Sequence, residues 1–136
     1  MGNKFILTST NIGDWINSAT YNGSKREINW TKTDGTSICP VGFRVPTHDE
    51  LYAETRIFGT AAYSVGSADL FRDNNLKIPT TGYRFKTDGN IQNLGYIYLW
   101  SSDHDNAYSD KIVISTLTSR GYFSRANGLP IRCIKN

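Results

Sequence analysis

CPVGFRVPTHDEL, residues 39–51, is the stretch that organises this chain. A cysteine, two prolines and a glycine stand there in close succession, followed at once by a helix start. Pro46 biases Val45 toward extended geometry. Thr47 and Glu50 form the T-x-x-E pattern of a capping box, in which side chain and backbone at the helix start satisfy each other's donors. The spacing predicts a helix over His48–Phe58, stopped by Gly59 at the position that favours a left-handed residue. Leu51, Thr55 and Phe58 would share one face, with Tyr52 beside them. His48 lies in the first turn, a poor place for a cation, and is expected at the surface.

Outward from this stretch, the only other cysteine is Cys133, 94 positions away. Two cysteines so spaced make no zinc site by themselves. They are either two buried thiols acting as small apolar residues or one disulfide. A bridge would close a loop of about 100 residues and stabilise the fold by up to ~4.7 kcal/mol in the chain-entropy account. It would also imply an oxidising compartment.

Upstream, KFILTST (4–10) reads as a strand. The segment from Asp14 to Trp30 reads as irregular chain or a short helix, with a turn at Asn22-Gly23 and another at Asp34-Gly35. Residues 67–74 suggest a single helical turn. Downstream the pattern becomes strand-like. A hairpin is expected around Tyr83, Phe85 and Ile91, turning at Asp88-Gly89. Strands follow at 95–102 and 110–116, the second alternating Ile112 and Ile114 against Lys111 and Val113. GYFSRA (121–126) and LPIRCIKN (129–136) close the chain. Helices first and short strands afterwards define an α+β domain, with residues 1–136 forming one unit around one core.

Composition narrows the classes. The chain has 136 residues, 38% hydrophobic, 20% charged and 12% aromatic, which is globular rather than disordered. Its net charge of +3 is spread without a basic run, so nucleic acid is not an expected partner. No apolar stretch reaches the ~18 residues of a membrane helix, and no membrane insertion is expected. The first ten residues lack the basic and apolar regions of a secretory signal. Ile6 stands where an N-myristoylation pattern wants Ser or Thr. The opening Met-Gly reads as a cloning start, so the chain is expected to be a domain excised from a larger parent protein.

With these residues in view, CPVGFRVPTHDEL resembles the C-P-x-G-[WYF]-R-[LV]-P-T-x-x-E motif of the Fibrobacter succinogenes major paralogous domain family. The likeness continues through LKIPTTGYRF (76–85), DGNIQNLGYIYLWSS (88–102) and RANGLPIRCIKN (125–136), covering residues 39–136 in order. It implies a C-type-lectin-like fold, a Cys39–Cys133 bridge and a place in a bacterial surface or secreted protein. The chain departs from the pattern in an acidic DHDNAYSD (103–110) after the WSS segment, in GLPIRC (128–133) before the last cysteine, and in IYLW (97–100) where paired aromatics are usual.

Two segments carry candidate chemistry. In SSDHDNAYSD (101–110), Asp103, Asp105, Asn106 and Asp110 are oxygen donors of the type calcium takes, six to eight to a site. Their spacing is not that of an EF-hand, and the other reading is a polar hairpin loop with Asp and Asn in turn hydrogen bonds. In TSRGYFSRANG (118–128), Arg120, Tyr122, Arg125 and Asn127 offer planar donors and an aromatic suited to a sugar or peptide. Alternation puts Tyr122 opposite Phe123 and Arg125, so only part of this set can face a ligand. Arg84 is a further candidate. Trp15, Trp30 and Trp100 are expected in the core. No nucleophile triad and no phosphate-binding glycine loop is visible, and His104 is the one histidine with carboxylate neighbours.

The expectation is therefore a non-enzymatic, extracellular or cell-surface recognition module, such as an adhesin domain, that binds a glycan or peptide on another surface. Its ligand-binding residues would be Asp103, His104, Asp105, Asn106, Tyr122, Arg125 and Asn127, with calcium as the only candidate cofactor. A phage tail receptor-binding tip, a structural spacer and an enzyme are the alternatives.

Overall fold

The computed structural model describes residues 23–56, 77–105, 108–115 and 118–136. The expected strand at 4–10, Trp15, the helix end at Phe58–Gly59, the turn at 67–74 and Asn106 lie outside these residues. Among the described residues, two helices, α1 (Ser24–Trp30) and α2 (His48–Arg56), accompany seven strands. These are β1 (Phe43–Arg44), β2 (Tyr83–Arg84), β3 (Ile91–Gln92), β4 (Ile97–Asp105), β5 (Tyr108–Ile114), β6 (Thr118–Ser124) and β7 (Ile134–Lys135). All pairings are antiparallel: β1 with β7, β2 with β3, and β4-β5-β6 in a three-stranded sheet. This is the expected α+β class.

The punctuated stretch does what its residues require. Cys39 and Cys133 are joined in a disulfide with Cα atoms 5.8 Å apart. Gly42, at φ 79°, turns the chain into β1, whose Phe43 and Arg44 pair with Lys135 and Ile134. The capping box closes: Thr47 N–H donates to Glu50 Oε2 at 2.9 Å, and Glu50 N–H donates to Thr47 Oγ1 at 3.3 Å. Arg44 adds two hydrogen bonds to the same carboxylate, at 2.8 and 2.6 Å. These bonds, led by those from Arg44, hold the Glu50 carboxyl down at about 2. The opening stretch thus fastens α2 to the last strand.

The core lies between α2 and one face of the sheet. Leu51 packs with Ile97, Leu99, Ile112 and Ile114, joined by Ile78 and flanked by Tyr52. Register explains the grouping, since Ile97 faces Ile114 and Leu99 faces Ile112 across the β4-β5 ladder. The outer edge of β4 is not free: Trp100 N–H donates to Pro130 O and Ser102 N–H to Pro46 O. Trp100 is buried, as expected, whereas Trp30 is only half-buried. On the opposite face, Tyr83, Tyr98 and Phe123 form a ring cluster with centroids 4.8–6.3 Å apart.

The segment read as a polar loop or calcium loop is mostly strand. β4 runs on to Asp105 and β5 begins at Tyr108. The register shifts between Trp100 and His104, an irregularity that re-aims the side chains beyond it. Small polar residues fill the interior there: Ser101 and Ser109 are buried, and Ser101 Oγ donates to Asp110 O at 3.2 Å.

His48 corrects a second expectation. It is buried, at 6% exposure. Its N–H donates to Asp103 Oδ2 at 2.6 Å, which draws the first turn of α2 onto β4, and its ring stacks on Tyr52. A charged histidine is disfavoured in the first turn of a helix, but packing against the sheet decides this position.

Candidate functional site

Beyond the first turn of α2, the core face of the sheet continues and opens to solvent. Side chains two residues apart on a strand share a face, so Tyr108 and Asp110 extend the side that carries Ile112 and Ile114. Pairing of Asp110 with Tyr122 and Ile112 with Arg120 brings those two residues to the same side. Tyr108, opposite Ser124, is the diagonal neighbour of Tyr122, a relationship that sets Cβ atoms about 7–8 Å apart. Tyr108 is 41% and Tyr122 48% exposed.

Electrostatics fix the middle of this patch. Asp110 is fully buried, with 0% exposure. Arg120 Nη2 lies 2.7 Å from Asp110 Oδ2, while the guanidinium carbon sits 5.7 Å from the centroid of the Tyr122 ring. Burial pushes the Asp110 carboxyl up, and the positive charge of Arg120 opposes that rise. The Arg120 guanidinium therefore stands between a buried acid below and an exposed tyrosine beside it. Such a surface offers two aromatic faces, two phenol hydroxyls and the outward edge of one guanidinium, which suits stacking and hydrogen bonding to a flat polar ligand.

The sequence-predicted residues divide among several places. Asp103 is half-buried and committed to the His48 N–H. Asp105 is exposed at the end of β4, opposite Tyr108. His104 points to the other face, with Nε2 3.6 Å from Glu27 Oε2 of α1. Arg125 and Asn127, expected to meet a ligand, are instead buried, at 1% and 3% exposure. α1 lies over Arg125: Arg26 donates to its carbonyl oxygen, and a Cβ on Gly23 would run into its guanidinium. Asn127 Oδ1 accepts the Lys86 N–H at 3.0 Å, tying the hairpin to the segment after β6.

Of the four calcium candidates, Asn106 lies outside the described residues. Asp103 is bound to a helix N–H and Asp110 to Arg120. Among the described residues no group of three or more His, Cys, Asp or Glu side chains is placed to hold a metal ion. Arg84 spends Nη1 on the Gly89 carbonyl of its own hairpin. Tyr108 lies inside the acidic segment, where a loop reading of the sequence hides it. Its alternation with Asp110, Ile112 and Ile114 is the signal that places it.

Comparison with family models, curated proteins and solved structures finds no match for this chain. The disulfide is a feature of oxidising compartments. No helix among the described residues is long and apolar enough to cross a membrane.

Proposed function

We propose that this protein is a non-catalytic recognition module of C-type-lectin-like architecture, displayed outside the cell, that binds a glycan or peptide through the Tyr108–Arg120–Tyr122 surface. The observation that carries this reading is the pairing of two exposed tyrosines on neighbouring strands around an arginine anchored by a buried acid. Exposed aromatics held on a rigid sheet lose little freedom on binding, and tyrosine is enriched where binding energy concentrates. The resemblance to the Fibrobacter paralogous domains supports the same reading, as does the disulfide that fastens helix to sheet.

The test is a glycan and peptide array, followed by titration calorimetry of the best ligand, each with calcium and with a chelator. Tyr122→Ala and Tyr108→Ala are each expected to weaken binding about tenfold or more, near 1.4 kcal/mol. Both side chains are exposed, so thermal stability should stay almost unchanged. A ligand whose affinity ignores both substitutions places recognition elsewhere on the molecule.

A further inference from the structure

The β4-β5-β6 sheet has one edge that nothing covers among the described residues. The outer side of β4 is closed by the carbonyls of Pro130 and Pro46. β6 is different: all seven of its residues pair with β5 without a shift of register, and they include no proline and no lysine. An edge left unblunted in this way is a template for a further strand. The ladder shows which groups it offers. Ser101 Oγ donates to the Asp110 carbonyl and the Trp100 N–H is turned away from β5, so Asp110 and Ile112 turn their backbone groups to β4. Bonding alternates along an antiparallel strand, so Lys111 exchanges its bonds with Gly121. The N–H and C=O of Arg120 and Tyr122, on either side of Gly121, therefore point outward, and no hydrogen bond among the described residues reaches them.

The middle of that edge carries a cation. Lys111 Nζ leans over Gly121, 3.0 Å from where a Cβ on that glycine would stand. The amine thus fills the place of the missing side chain and lies at the edge of the sheet. It rests on Phe123 and Tyr98, 4.8 and 5.6 Å from the ring centroids, and makes no hydrogen bond or ion pair among the described residues. Burial lowers its affinity for the proton, and Asp110, held by Arg120 on the other face, opposes that only in part. A strand added beside β6 would run about 4.8 Å away, and its residue opposite Gly121 would point to the Lys111 face. A carboxylate at that place meets the ammonium across the glycine, with no side chain between them. The residues before and after it would turn to the other face, beside Arg120 and Tyr122.

The same amine argues against a second copy as the added strand. Self-pairing centred on Gly121 would set two Lys111 ammoniums side by side over the glycines, and like charges there repel. An acidic strand neutralises the one that is present, and the net charge of +3 draws the same partner. We propose that the open edge of β6 binds an extended acidic peptide as a fourth strand, through the backbone of Arg120 and Tyr122 and a peptide carboxylate on Lys111. This narrows the ligand of the Tyr108–Arg120–Tyr122 surface to a peptide, and it rests on that reading only for the peptide side chains beside Arg120 and Tyr122.

The experiment titrates the whole chain, isotope-labelled for NMR, with the blocked peptide acetyl-Thr-Val-Glu-Val-Thr-amide and with its Gln counterpart. The Glu peptide should bind about tenfold tighter than the Gln peptide and should slow hydrogen exchange at the amides of Arg120 and Tyr122. Lys111→Met, which keeps the apolar stem on Phe123, should remove the preference for Glu. N-methylation of both valines, whose N–H groups would face the edge, should abolish binding. No binding of the Glu peptide at millimolar concentration, equal binding of the two peptides, or unchanged exchange at Arg120 and Tyr122 would each overturn the proposal. So would protection of those amides that rises with protein concentration in the absence of peptide, the mark of a second copy. Tyr108→Ala leaves the edge untouched: a Glu preference and protection pattern that persist in this variant uphold the edge site while removing Tyr108 from it. If Lys111→Met unfolds, the two peptides on the unsubstituted chain still decide.

Discussion

Arg120 and Asp110 meet diagonally across adjacent strands, yet they inhabit different media: the carboxylate is sealed from water and the guanidinium is half-exposed. The pair is therefore asymmetric. Removing the arginine leaves a buried charge without a partner, while removing the acid leaves a cation that water can reach. Arg120→Leu should cost about 2–3 kcal/mol, and Asp110→Asn should stay within about 1 kcal/mol of the unsubstituted protein. Urea unfolding at neutral pH measures both, and equal losses would contradict the asymmetry.

Glu50 governs behaviour in acid. Its folded value of about 2 lies below the ordinary 4.5, so its contribution is present above the ordinary value and disappears as pH falls toward 2. Because the side chain is partly exposed, solvent screening reduces the effect to about 1 kcal/mol. Glu50→Gln should be less stable by that amount at pH 7 and should converge with the unsubstituted chain near pH 2. Parallel curves of stability against pH would show that the carboxylate is not the sensor.

Asp110 leans the other way. Burial raises its folded value, so the folded state keeps the proton to higher pH than the unfolded chain does. By itself this residue makes stability decline as pH rises from the ordinary carboxylate value to its own folded value. Asp110→Asn should remove that decline, which is visible as a flatter curve above pH 4 in the same unfolding series.

Reduction of Cys39–Cys133 frees a long loop in the unfolded chain. The paired substitution Cys39→Ser with Cys133→Ser should lower stability by about 4 kcal/mol. A change below about 1 kcal/mol would mean that β1–β7 pairing and the Arg44–Glu50 contacts hold the ends without covalent help.

Gly82 tests the backbone of the hairpin. It sits at φ 63°, and a Cβ would collide with the carbonyl oxygen of Gln92. Gly82→Ala should therefore destabilise by about 2 kcal/mol or more, well beyond an exposed-surface substitution. Chemical denaturation of this single variant is sufficient.

Much of the scaffold was legible in the sequence because its signals are local. Thr47 and Glu50 stand three apart, Asp88-Gly89 marks a turn, and Ile112 and Ile114 alternate toward the core. The surface was less legible because alternation assigns a side without saying what covers it. Arg125 has the chemistry of a ligand contact, yet α1 lies over it, a meeting of residues 99 positions apart. His48 was misplaced for a similar reason, since Asp103, which receives its N–H, is 55 positions away. The shift of register after Trp100 carries no distinctive residue, yet pairing resumes beyond it at His104 with Ser109.

The Cys39–Cys133 bond also sets the route that mechanical tension takes through the molecule. A pull between Asn136 and any point ahead of Cys39 passes along residues 133–136, crosses the sulfur atoms and leaves through residue 38. Residues 40–132, with α2, the β4-β5-β6 sheet and the Tyr108–Arg120–Tyr122 surface, lie on a covalent side loop that this path bypasses, so load reaches them only through non-covalent contacts such as the β1–β7 pairing. Under such traction those contacts can part while the disulfide keeps the backbone of the loop from being extended.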